Sequence, residues 1–86
     1  MNKKDLFCLV GFVKVSQHRI KTLESICIEL KMPSEIGRET DLRTSQVSRA
    51  LGDLKSKNLV VCVNEEVRKG RLYKCTPTGL EVMKYL

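Results

Sequence analysis

Apolar residues recur at helical spacing in the first stretch of the chain: Leu6, Leu9, Val10 and Val13. That spacing predicts a helix over about residues 3–14. Phe7, Cys8 and Phe12 put further apolar groups on its other face. A helix apolar nearly all round is buried on more than one side, and in so short a chain a second copy is one source of that cover. Ser16 suits the N-cap of a second helix over about residues 17–30, whose inward face would use Ile20, Leu23, Cys27 and Leu30. Met32-Pro33-Ser34-Glu35 opens a short third helix with Ile36 turned inward. Proline fits a first helical turn, where its missing N–H is no loss. Asp41-Leu42-Arg43 breaks that helix, and a fourth runs from about Thr44 to Lys57, packed through Val47, Ala50, Leu51 and Leu54. Asn58 is a natural left-handed residue at its end.

The period then changes. Leu59-Val60-Val61-Cys62-Val63 is short and β-branched, a strand signal. Residues 64–70 form a polar loop, and Leu72-Tyr73-Lys74-Cys75-Thr76 is the returning strand. Val60 and Cys62 would share the core face with Tyr73 and Cys75. Thr76 and Pro77 open a last helix as N-cap and first residue. Its Leu80, Val82, Met83, Tyr85 and Leu86 exceed one apolar stripe, which again predicts either a partner surface or extra core filling. The order is α-α-α-α-β-β-α, an α+β class, mostly α, in one domain over residues 1–86.

Composition narrows the class. At 42% hydrophobic and 30% charged residues the chain is globular rather than disordered. With 86 residues it buries only about 60–65% of its unfolded surface, enough for one core. The longest apolar run, Leu6 to Val13, is far too short to span a bilayer. No small-residue cleavage site follows it, so a cytoplasmic protein is expected. The net charge of +6 is unevenly placed. Residues 1–42 carry seven Lys or Arg and six Asp or Glu, whereas residues 43–74 carry eight and three. Basic patches favour nucleic acid, anionic membrane or acidic partners. With no Trp in the chain and no Phe beside the basic residues, membrane insertion is the weakest of these.

Cys8, Cys27, Cys62 and Cys75 are widely spaced, without a CxxC, and the single His18 does not complete a zinc-finger spacing. All four cysteines fall at expected core positions, where cysteine acts as a small hydrophobe. Cys62 and Cys75, facing each other across the hairpin, form a redox pair as the alternative to packing. No metal and no cofactor are expected. One His, no spaced carboxylate pair and no Gly-rich phosphate loop give no basis for an enzyme.

Residues 33–57 are the informative ones: a short helix, a tight turn and a longer helix buried on one side form a helix-turn-helix. Such a unit presents its second helix to the DNA major groove. On a wheel at 100° per residue, Val47, Leu51 and Leu54 cluster, Ser45, Arg49, Gly52 and Ser56 lie opposite, and Gln46 and Ser48 flank them. Arg pairs with guanine, Gln with adenine, and Ser or Thr with either edge or with phosphate. The candidate DNA-binding residues of this unit are Thr44, Ser45, Gln46, Ser48 and Arg49 on the recognition helix, Arg43 at its start as a phosphate contact, and Ser34 on the DNA backbone. A hairpin tip carrying Arg68, Lys69 and Arg71 reaches phosphates or the adjoining minor groove.

Pro33-Ser34-Glu35-Ile36, Leu42 through Leu51, and Leu54-Lys55-Ser56-Lys57-Asn58-Leu59-Val60 resemble the winged helix-turn-helix transcription regulators. Gly70 through Gly79 resembles the end of their wing and the start of the next helix. The likeness spans about residues 16–86 and is nearest in style to the short MarR/ArsR-like regulators common in archaea. Its most specific stretch is Val47-Ser48-Arg49-Ala50-Leu51 with Leu59-Val60 and the later Thr-x-x-Gly. The resemblance implies a homodimer that binds double-stranded DNA and regulates transcription; the apolar surplus puts the expected dimer contact on the N- and C-terminal helices. The chain departs from the family at Asn58, where Gly is usual, and at Arg43, where many relatives have a Ser or Asp cap. A winged helix that docks onto other proteins within a larger assembly is the competing expectation.

Overall fold

Helix starts are set by side chains that take up backbone donors with no partner inside the helix. In the structure, a computed structural model that describes residues 2–86, helix α1 (Lys3–Lys14) begins at Asn2, whose Oδ1 accepts from the Asp5 amide at 2.8 Å. Ser16 does the same for α2 (Gln17–Ile26), accepting from the Arg19 amide. Pro33 opens α3 (Pro33–Thr40), where the Glu35 carboxylate reaches back to accept from the Met32 amide at 2.9 Å. Asp41 then takes a left-handed conformation, φ 61°, and ends it. Helix α4 (Thr44–Ser56) follows after a three-residue turn. Left-handed Asn58, φ 59°, turns the chain into β1 (Val60–Cys62), which pairs antiparallel with β2 (Tyr73–Cys75). Helix α5 (Pro77–Met83) completes an α+β, mostly helical arrangement of five helices and one hairpin.

The core lies where α2, α3 and α4 meet. Leu23, Ile26, Ile36, Val47, Leu51 and Leu54 are buried there, and Val13, Leu59, Val60 and Val82 close it from α1, the hairpin and α5. Each such side chain contributes roughly 1.5–3 kcal/mol through removal from water. Thr22 is also fully buried on α2, and its hydroxyl has no hydrogen-bond partner.

Three expectations are corrected. Helix α2 ends at Ile26 rather than at residue 30, and Ile26, not Leu30, fills the inward position. The chain leaves the helix so that Lys31 can bridge Tyr73, with amide-to-carbonyl bonds of 3.1 and 2.9 Å in the two directions. The Lys31 ammonium, itself buried, donates to the Ser25 carbonyl and to Glu39. Hydrogen bonds from Lys31 and Ser25 hold the Glu39 carboxyl below its ordinary range. These interactions compete successfully with helix continuation through Ile26-Cys27-Ile28, where two of three residues are β-branched and poor helix formers.

The second correction concerns the cysteines. Cys62 is buried, Cys27 and Cys75 are half-buried, and Cys8 is exposed on α1. The third concerns the hairpin register. Val60 stands opposite Cys75 and Cys62 opposite Tyr73, so Cys62 and Cys75 share a face but are diagonal, not facing. The redox pairing expected from direct opposition therefore has no geometric basis.

Helix α5 sits unusually close to the chain entering β1. Thr76 Oγ1 accepts from the Gly79 amide at 3.0 Å and donates to the Asn58 carbonyl at 2.7 Å. Its own amide donates to the Leu59 carbonyl. A Cβ on Gly79 would lie 2.3 Å from that same Leu59 oxygen. At the outer surface of α1 and the C-terminal segment, the Phe7 and Tyr85 rings meet edge to face with centroids 5.3 Å apart. Both rings are still substantially exposed, as are Leu80 and Leu86.

Candidate nucleic-acid interface

Helix α4 divides cleanly into two faces. Val47, Ala50, Leu51 and Leu54 are buried, whereas Thr44, Ser45, Ser48, Arg49 and Gly52 are exposed. The buried face is locked against α2 and α3, which fixes the rotation of the helix and hence the direction of its polar face. Arg49 makes no ion pair or hydrogen bond among the described residues, so its guanidinium is available. Nothing lies within 4 Å of a Cβ built on Gly52, so that glycine is not required by packing within the chain.

The start of α4 falls where the sequence expects it, but Gln46 has a different role there. Arg43 occupies the N-cap position, and its side chain has no acceptor to offer an orphan amide. Gln46 compensates from the third helical position: its Oε1 accepts from the Arg43 amide at 2.9 Å. Gln46 is half-buried as a result and acts here as half of a capping box. It is thus not a free reader of adenine in this conformation. Arg43 and Thr44 remain exposed on the rim of a surface depression of about 550 Å³ that also takes in Ser34 and Arg38. Ser34 and Arg38 stand four residues apart on one face of α3, and Arg38 was not among the residues expected at the site.

The loop between the strands is braced from inside. Asn64 Oδ1 accepts from the Leu72 amide at 2.8 Å, and its Nδ2 donates to the Gly70 carbonyl at 3.1 Å. Arg71 donates through Nε to the Val67 carbonyl at 2.7 Å and through Nη2 to the Glu65 carbonyl at 3.1 Å. Arg71, expected to contact an external anion, is instead held against the loop by two of its five N–H donors. Arg68 and Lys69 are exposed beside Gly70, whose φ of 74° forms the bend. An ion pair between Lys55 and Glu65 ties the loop to the far end of α4, drawing the Lys55 pKa up and that of Glu65 down.

His18 and Arg19, outside the DNA-contact set expected from the sequence, join this surface. The start of α2 packs beside α4, and the cleft between them, about 280 Å³, is lined by His18, Arg19, Gln46, Arg49 and Asp53. Arg19 is neutralised there: it donates to Asp53 at 3.2–3.3 Å and to the Phe12 carbonyl at 2.7 Å, and stacks 4.0 Å above the Phe12 ring. No pattern in the sequence couples His18 to Arg49, because the α2–α4 packing alone brings them together.

Among the described residues, no group of three or more His, Cys, Asp or Glu side chains is placed to hold a metal ion. No helix there is long and apolar enough to cross a membrane. No protein-family model matches the chain, and no curated protein matches it.

Proposed function

We propose that this chain is a sequence-specific, double-stranded-DNA-binding transcription regulator with a winged helix-turn-helix fold. Helices α3 and α4 form the helix-turn-helix, and the hairpin with its basic loop is the wing. The observation that carries this reading is the partnerless polar face of α4, with Ser45, Ser48 and Arg49 exposed on a helix whose opposite face is wholly buried. Helices of this kind enter the major groove with N-terminal residues toward base edges. In that placement Thr44, Ser45, Ser48 and Arg49 read bases, Ser34, Arg38 and Arg43 meet the backbone, and Arg68 and Lys69 take phosphates or the minor groove. Gln46 contributes by fixing the start of α4.

The exposed apolar groups Phe7, Leu80, Tyr85 and Leu86 support a homodimer through α1 and α5. The same observation is what favours the second reading, a protein-docking module, in which that surface meets a different chain.

Fluorescence anisotropy tests the proposal on duplex DNA taken upstream of the chain's own gene and on a scrambled duplex, across a salt series. Preference for the upstream duplex that persists at moderate salt is the expected result. Absence of binding to any duplex at low salt refutes DNA recognition and leaves the docking module.

A further inference from the structure

The cleft between α2 and α4 has an electrostatic imbalance that the DNA reading above uses only in part: it assigns Arg49 to a base and gives the α2 side of the cleft no role. Its charged lining comes from both helices: His18 and Arg19 from α2, Arg49 and Asp53 from α4. Arg19 and Asp53 cancel each other through two hydrogen bonds to one carboxylate oxygen. Arg49 is left uncompensated, and His18 is exposed at the mouth. The remaining polar lining, Ser16 and Gln46, is already committed to capping the two helices. The net field in the cleft is therefore positive, and it becomes more so when the imidazole is protonated. A water occupies about 30 Å³ in the liquid, so 280 Å³ accommodates a tetrahedral oxyanion with part of its hydration.

Position completes the argument. With the exposed face of α4 in a major groove, whatever packs beside that face overlies a sugar–phosphate strand bounding the groove. The start of α2 is such a neighbour, because His18 and Arg49 line one cleft. We propose that this cleft seats a backbone phosphate of the bound duplex, with His18 as a protonation-dependent contact, so that DNA affinity rises as pH falls through the imidazole range. This rests on the DNA-binding reading above. An imidazole ordinarily titrates near pH 6.5. Protonation on binding is thermodynamically linked to affinity, so each unit by which DNA raises the His18 pKa is a tenfold gain in affinity at low pH over high pH.

The test is duplex binding at fixed ionic strength between about pH 5.5 and 8, with the His18 imidazole followed by NMR in the free and bound protein. Expected are a three- to tenfold tighter complex at the acid end and a matching rise in the His18 pKa on binding. His18→Gln flattens the pH profile. His18→Lys, with a fixed charge, flattens it at the tighter, acid-end level. A wild-type profile that His18→Gln leaves unchanged overturns the proposal, as does a bound His18 that titrates as in the free protein. Inorganic phosphate alone producing the same His18 shift would make the cleft a free-anion site and overturn the duplex assignment. Salt-sensitive DNA binding without any His18-dependent pH effect refutes this inference alone. No binding at any pH refutes the underlying reading with it.

Discussion

Gly79→Ala is the sharpest test of how α5 meets the hairpin, because two physical effects predict opposite signs. Alanine is the better helix former by about 1 kcal/mol, and Gly79 lies in the third position of α5. Propensity alone therefore predicts a more stable protein. The added methyl would lie 2.3 Å from the Leu59 carbonyl oxygen and 2.5 Å from Cys75 Sγ, where ordinary contact begins at 3.4 Å. Roughly 1 Å of retreat is needed, and the nearer obstacle is backbone. Overpacking of this kind costs typically 1–3 kcal/mol. The retreat also pulls at the Thr76 hydroxyl, which holds both the Gly79 amide and the Asn58 carbonyl; loss of such a cap costs about 1 kcal/mol more. Net destabilisation of about 1–3 kcal/mol remains, or a fall in Tm of roughly 5–20 °C for a domain of this size. Thermal unfolding followed by circular dichroism at the helical band measures it. An unchanged or raised Tm would mean that α5 does not approach Leu59 as described, and the stacking of helix on hairpin would have to be redrawn.

Other expectations follow from single side chains. Arg49→Ala loses discrimination at one base pair by about 1–3 kcal/mol, whereas Lys69→Ala weakens binding to all duplexes alike and lowers the salt slope by about one; equal losses on every duplex for both variants contradict these assignments. Thr22→Val removes a buried hydroxyl that has no partner and raises stability by about 1 kcal/mol, measured by denaturant titration; a loss would show that the hydroxyl is bonded in solution. Burial, and then nearby Cys27, pushes the Cys75 thiol up to about 11. Since the thiolate is the nucleophile, exposed Cys8 reacts first with an aromatic disulfide reagent near pH 8, and Cys75 labelling equally fast, by peptide mass, contradicts its burial.

The parts of the fold that the sequence made legible are those encoded locally. Ser16, Pro33, Asn58 and the pair Thr76-Pro77 each mark an element boundary through a mechanism that acts within three or four residues. The wheel of α4 separated buried from exposed positions correctly because one face packs continuously. The Thr-x-x-Gly spacing, noticed first as a resemblance, has a local and a tertiary cause: Thr76 caps α5, and Gly79 admits the Leu59 carbonyl. The end of α2 was not legible because its determinant, the Lys31–Tyr73 bridge, joins distant parts of the chain. The facing of Cys62 and Cys75 was misread because hairpin register depends on loop geometry, here set by Asn64 and Arg71. In the candidate site, the Arg71 guanidinium and the Gln46 amide oxygen look like free hydrogen-bonding groups in a sequence, since the backbone groups that occupy them carry no signature of their own.

That last point changes how the charge of residues 43–74 translates into binding. Of its eight Lys and Arg residues, Lys55 is paired with Glu65 and Arg71 is folded into its own loop. Lys57 stands 5.5 Å from the centre of the Phe12 ring, on the far side of α4's last turn from its reading end. Arg43, Arg49, Arg68, Lys69 and Lys74 remain without an intramolecular partner among the described residues. Each phosphate neutralised steepens the logarithmic salt dependence by about 0.9, so on the proposed reading Arg43, Arg68 and Lys69 from this set, with Arg38 from α3, support a slope of about −4 per chain. All eight would give about −7. The difference separates two physical pictures of the loop. A slope near the smaller value means that the wing meets DNA as it stands, rigid, with Arg71 and Asn64 holding Arg68 and Lys69 in place. A slope near the larger one requires Lys55 and Arg71 to exchange their internal partners for phosphates. In that case the wing is remade on the duplex, and Asn64→Ala, which loosens it in advance, would strengthen binding rather than weaken it.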